Sequence, residues 1–218
     1  MYCILLCLII YLSGFIFNPH IMNTKQLLNF GTATALTFWL STFIAGYIHG
    51  NYNHISDTIS ELGALGTKSH TFMTIATWLG AVFGTLFFIG IIRACRQVGV
   101  SVIPVLTTIG VPFSFAWVAI FPSGTERHPQ GGIAMFLLYI GLILAIIIWR
   151  GERMRTIRTW SFISLILMLL LFFRFTSFIG GHEGLLQRFA HLGWAIWFIS
   201  LNICFAKLID DQTKKITN

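Results

Sequence analysis

The chain has 218 residues, of which 56% are hydrophobic and only 10% charged, and its formal charge is +7. Ordinary globular domains carry roughly 25% charged residues, and a soluble fold of this size has no interior large enough to hide so much apolar surface. These figures exclude a water-soluble domain and point to lipid as the solvent.

Cys3–Phe17 is an apolar run, broken by Asn18 and Pro19. A secretory signal would need a positive leading segment and a small-residue cleavage site, and neither is present. Two readings fit: a short seventh span, or a translation start at Met22 that leaves residues 1–21 untranslated. Residues 22–218 read as a single membrane domain. A hydrocarbon core about 30 Å thick needs ~20 residues of apolar helix. Six stretches meet that length: Leu27–His49, Thr71–Ile92, Val100–Phe121, Gly131–Trp149, Ile157–Ile179 and Phe189–Leu208. They are too long for strands and do not alternate, and only a helix satisfies its own backbone groups within one segment in lipid. The predicted fold class is therefore all-α, a polytopic six-helix transmembrane bundle with a possible seventh N-terminal span.

Lys and Arg divide unevenly between the two sets of connections. One set, with the chain end, holds Lys25, Arg93, Arg96, Arg150, Arg153, Arg155, Arg158, Lys207, Lys214 and Lys215. The other holds Lys68, Arg127 and Arg188, alongside Asp57, Glu61, Glu126 and Glu183. The positive-inside rule predicts that the first set is cytoplasmic, which places a multi-pass protein in the cell inner (plasma) membrane with a cytoplasmic C-terminus. The basic excess is thus a topology signal. A nucleic-acid partner would need a basic face on a folded domain, and none is available. Membrane lipids are the expected partners, and the sequence names no protein partner. Of the four cysteines, none falls in an extracytoplasmic loop and none forms a CxxC pair, so neither a disulfide framework nor a cysteine metal site is expected.

Polar chemistry gathers on the extracytoplasmic side, where His49, His54, His70, His128, His182 and His191 all fall. In the first loop, Thr58-x-x-Glu61 has the form of a capping box, a hydroxyl at the N-cap and a carboxylate three residues on. The competing reading sets Asp57 and Glu61 four apart on one helical face, where paired carboxylates bind a cation or hold a proton. The second loop, with Pro122, Pro129 and three glycines, reads as a rigid turn with His128 at its end. In the third, a helix starting near Gly184 would group Gln187, Arg188 and His191 within about one turn. Arg174 lies inside the fifth span, where an arginine either has a partner or snorkels to the interface. Its candidate partners are Asp57, Glu61 and Glu183.

The arrangement resembles the bacterial and archaeal membrane family catalogued as domain of unknown function 998. The likeness rests on Ser56-Asp57-Thr58-Ile59-Ser60-Glu61-Leu62-Gly63, on Phe121-Pro122 followed by His128, and on the Gly184–Arg188 segment that opens the last span. It covers roughly Leu27–Leu208 and implies a topology without an established reaction. Ser123-Gly124 depart from the acidic residue that family places after Phe-Pro, and Glu126 and Arg127 follow instead. A more distant analogy is to the alkaline ceramidases, seven-span hydrolases with a zinc held by His and Asp near one membrane face. Those use His-x-x-x-His in the last span, whereas His182 and His191 are nine residues apart here.

Three functions compete. The first is a membrane-embedded hydrolase or transferase acting on lipid or lipid-linked substrate. Asp57, Glu61, Arg174 and Arg188 would be its catalytic groups, and His128, His182 and His191 would be ligands for a divalent metal such as zinc. The second is an accessory or scaffold subunit. The third is a small-solute transporter, against which the scarcity of ionisable groups near the midplanes counts.

Overall fold

The computed structural model describes residues 22–175 and 181–217, with the side chains of Arg174, Phe175, Ile216 and Thr217 excluded. The apolar segment 1–21 lies outside the described residues. All described elements are helical: α1 (Thr24–His49), α2 (Ile59–Leu62), α3 (His70–Val98), α4 (Ile103–Leu106), α5 (Gly110–Ile120), α6 (Gln130–Ile148), α7 (Arg155–Leu169) and α8 (Glu183–Thr217). Six helical stretches are long and apolar enough to cross a membrane, so the chain is a multi-pass membrane protein in a lipid environment.

Local sequence accounts for the boundaries. Asn23 caps α1 reciprocally: its side chain accepts from the Gln26 N–H, and the Gln26 side chain accepts from the Asn23 N–H. The third span is interrupted at Thr107–Ile109 by a 3-10 turn between α4 and α5. Pro112 has no N–H to offer the Thr108 carbonyl and crowds it, so the preceding turn tightens. The fifth span leaves α geometry at Leu169 and continues as a 3-10 segment, Leu170–Phe175. The last helix is much longer than its apolar run: 35 residues reach roughly 52 Å at 1.5 Å per residue, against a core of about 30 Å.

The bundle packs around α8, which touches α1, α3 and α7. Its aromatic centre is Trp194, Trp197 and Phe198, all fully buried. Trp194 meets Phe38 at 5.4 Å and Phe115 at 5.8 Å between ring centroids, and Phe198 meets Phe87 at 4.6 Å. Buried polar atoms bond across helices, as lipid demands: Trp197 Nε1 donates to Ser161 Oγ at 3.1 Å, and Tyr139 Oη to the Met168 carbonyl at 2.7 Å. At the face rich in Arg and Lys, Lys25 pairs with Asp210 at 2.8 Å, fastening the start of α1 to the end of α8. The opposite face carries the loops 50–69 and 121–129 and the start of α8, and with them the histidines.

Candidate functional site

Two polar assemblies occupy the histidine-bearing face. The first is the loop between α1 and α2, folded onto the first turns of α8. Asp57 organises the loop itself. Its Oδ2 accepts from the Asn53 N–H at 2.8 Å and its Oδ1 from the Ser56 hydroxyl at 2.7 Å, while its own N–H donates to the Asn53 carbonyl. These donors hold the Asp57 carboxyl below the usual carboxylate range, the Asn53 amide first and the Ser56 hydroxyl second. Backbone bonds then staple the loop to α8, from the Gly184 N–H to the Ser56 carbonyl and from the Leu185 N–H to the Ile55 carbonyl.

Arg188, 8% exposed, completes this junction. Its Nη1 donates to the Asp57 carbonyl at 3.0 Å, and its Nη2 to Tyr52 Oη at 2.6 Å and to His54 Nδ1 at 3.0 Å. A guanidinium only donates, so His54 Nδ1 accepts and the neutral ring carries its proton on Nε2. Burial pushes the His54 imidazole below its ordinary range and the Arg188 cation pushes the same way, with Asp57 opposing. Burial raises the Tyr52 phenol, against the pull of Arg188. Two glycines make room for this closeness. A Cβ on Gly184 would collide with the Asp57 carbonyl and lie 2.8 Å from Arg188 Nη1, and one on Gly46 would lie 2.7 Å from His54 Nε2.

The second assembly is a cavity of about 530 Å³ walled by α1, α3, α5, α6, the end of α7 and α8, within the range of roughly 300–1,000 Å³ typical of small-molecule sites. Its apolar lining includes Phe38, Phe115, Met73, Met135 and Met168, and near the loops it is lined by Thr58, Ser60, Ser123, His128 and Gln187. Along α6 the lining runs from Pro129 to Tyr139, a descent of roughly 15 Å, or half of a ~30 Å core. Ile133, Phe136 and Phe172 line it and are also exposed, at 65%, 48% and 43%. These three residues thus belong both to the cavity lining and to the exposed surface of α6 and the 3-10 end of α7.

Two histidines in this lining use Nδ1 in opposite ways, one as donor and one as acceptor. His128 Nδ1 lies 2.9 Å from the Phe121 carbonyl. A carbonyl only accepts, so Nδ1 carries a proton, and Nε2 is the nitrogen that presents a lone pair when the ring is neutral. His191 Nδ1 accepts from the Trp194 indole at 2.8 Å. An indole only donates, so His191 is neutral and its Nε2–H is a donor. Gln187 reaches between the assemblies: its Oε1 accepts from the Ile59 N–H at 2.7 Å, which leaves its amide N–H groups as donors at the cavity's loop end.

The structure thus divides the residues expected to act together. His128 and His191 share the cavity. His182 is exposed where α8 begins, its carbonyl accepting from the Leu186 N–H. Among the described residues, no group of three or more His, Cys, Asp or Glu side chains is placed to hold a metal ion. Asp57 and Arg188 belong to the loop junction. Glu61 closes the capping box, its Oε1 accepting from the Thr58 N–H and hydroxyl. The paired-carboxylate alternative needs a helix through both acids, but α2 starts at Ile59, so Asp57 lies outside it and the two face different partners. The Arg174 side chain lies outside the described residues. Tyr52 and Tyr139 were not anticipated, because a tyrosine in a loop or a span reads equally well as an interfacial or lipid-facing aromatic. His54 was visible only as one of six histidines.

The model of the family described as protein of unknown function, DUF998, matches residues 32–203. The chain belongs to that family. No curated protein and no solved structure matches it.

Proposed function

We propose that this protein is a membrane-embedded hydrolase or transferase that takes a lipid or lipid-linked substrate from the bilayer into the cavity beneath its histidine-bearing face. The observation that carries this reading is the pair of imidazoles lining one cavity, His128 with Nδ1 donating and His191 with Nδ1 accepting. His128 is then the base that accepts a proton from the attacking hydroxyl or water, oriented by its bond to the Phe121 carbonyl. His191 donates a hydrogen bond to the oxygen on which charge develops. The apolar lining and the exposure of Ile133, Phe136 and Phe172 suit a substrate that arrives through lipid.

The uneven distribution of Lys and Arg supports an extracytoplasmic location for this face. The transporter alternative draws on the broken third span. There, however, the Thr107 and Thr108 hydroxyls donate to the Pro104 and Val105 carbonyls, so these carbonyls already have partners and are less available to coordinate an ion.

The test is to purify the protein in mild detergent and identify the lipids it retains by mass spectrometry. Wild type should carry a defined lipid class. Thr77→Trp, which fills the cavity from α3, should lose that class at unchanged yield and helicity. Equal lipid content in the two proteins would contradict the reading.

A further inference from the structure

We infer that the lipid taken by this cavity is uncharged and presents a hydroxyl at its polar end, as a monoacylglycerol or long-chain alcohol does. This deepens the reading above and rests on it. A hydroxyl both donates and accepts, and the two histidines of the lining offer one of each: Nε2 of a neutral His128 accepts a hydrogen bond, and the His191 Nε2–H donates one. Gln187 adds amide donors at the same end.

The other polar side chains described in the lining are hydroxyls and a phenol, several of them already engaged. Thr74 and Thr77 donate to their own helix, at the His70 and Met73 carbonyls, and Tyr139 donates to Met168. They retain acceptor lone pairs, which suit a ligand with protons to give and repel a phosphate. The neutral state of His191 is built in, because the Trp194 indole can only donate to it. The guanidinium of Arg188 is turned to Tyr52, His54 and Asp57. Among the described lining residues none carries a charged side chain, so a phosphate entering the cavity would find no cation among them to pair with, a cost that an alcohol avoids.

The experiment uses the full chain in detergent with radiolabelled monoacylglycerol as probe, and compares two unlabelled competitors: monoacylglycerol and lysophosphatidate of the same acyl chain. The alcohol should compete at a concentration at least about tenfold lower than its phosphate ester. Trp194→Phe removes the indole that sets the His191 tautomer without touching the ligand, and should shrink that preference while saturable binding persists. Should lysophosphatidate compete equally or better, the hydroxyl inference is overturned and the lipid cavity stands. Should saturable binding be absent, or undiminished in Thr77→Trp, the cavity reading itself falls. A preference unchanged in Trp194→Phe would show that His191 does not select the polar end.

Discussion

The loop junction and the cavity lie side by side on one face, and they use polar residues in opposite ways. Around Arg188 most of the hydrogen-bonding capacity is used: guanidinium, phenol, imidazole and the Asp57 and Thr58 carbonyls bond one another, and among the described residues there the Arg188 Nε and the Nδ1 of His49, packed on Tyr52, are buried without a partner. Around His128 and His191 each ring has one nitrogen fixed by the protein and the other left over. The difference teaches that the charged residues, which attract attention in a sequence, here hold structure together. In the proposed function the chemistry falls instead to two imidazoles, each with one ring nitrogen held by a neighbour. A buried cation ringed by neutral acceptors also makes the junction rigid, because any one missing acceptor leaves part of the charge unsatisfied.

Substitutions should separate the regions, with the largest loss at the junction. Arg188→Leu removes the donors of three hydrogen bonds and leaves buried acceptors unpaired, with an expected loss on the order of 3 kcal/mol, read as a drop in the thermal midpoint in detergent. A midpoint equal to wild type would remove the basis for calling the junction structural. Gly184→Ala forces a methyl against the Asp57 carbonyl and Arg188, with an expected cost of about 1–3 kcal/mol. It should also speed protease cleavage within residues 50–57, and unchanged cleavage would mean that the loop is held by other contacts.

Acid should loosen the same junction. Burial and Arg188 depress the folded-state pKa of His54, so the folded protein resists the proton that the unfolded chain accepts near pH 6.5. This contribution is fully present above that pH and is lost as pH falls through and below it. His54→Gln, whose amide oxygen can accept from Arg188 without titrating, should flatten the dependence between pH 7 and 5. A curve parallel to wild type would assign the acid response to another group. Asp57 acts lower: its folded pKa lies below 3.8, so its contribution is present above that value and lost as pH falls beneath it. The smallest stability change is expected at the cavity. His128→Ala loses one hydrogen bond, worth about 1 kcal/mol, while abolishing turnover of the bound lipid. A large fall in stability with lipid retained would recast His128 as structural.

Much of the frame was legible in the sequence. Six apolar runs predicted six spans, and the Thr58–Glu61 spacing predicted the cap that α2 has. Boundaries were less legible where physics other than hydropathy sets them. Helix α8 runs well past Leu208 because its polar ends pack and pair, Lys25 with Asp210 for example, and hydropathy does not register that. The loop junction depends on bonds from the Gly184 and Leu185 amides to Ser56 and Ile55 carbonyls, and backbone atoms carry no residue signature. Arg188 and His191, three apart on one helix, were expected to act together. The helix turns one toward the loop and the other toward the cavity, a separation held by the Arg188 bonds to the loop and by Phe38 and Trp194 around His191.

The central claim is that a lipid enters between α6 and the end of α7 and sets its polar end between His128 and His191. It is tested most directly by photolabelling in vesicles with a long-chain alcohol that carries a diazirine near its hydroxyl, followed by peptide mapping. The account predicts labelling on Gly132–Tyr139 and Gln187–His191, suppressed by excess unlabelled monoacylglycerol and lost in Thr77→Trp. Labelling confined to outward-facing residues such as Phe113 and Ile203, and insensitive to competitor, would contradict it.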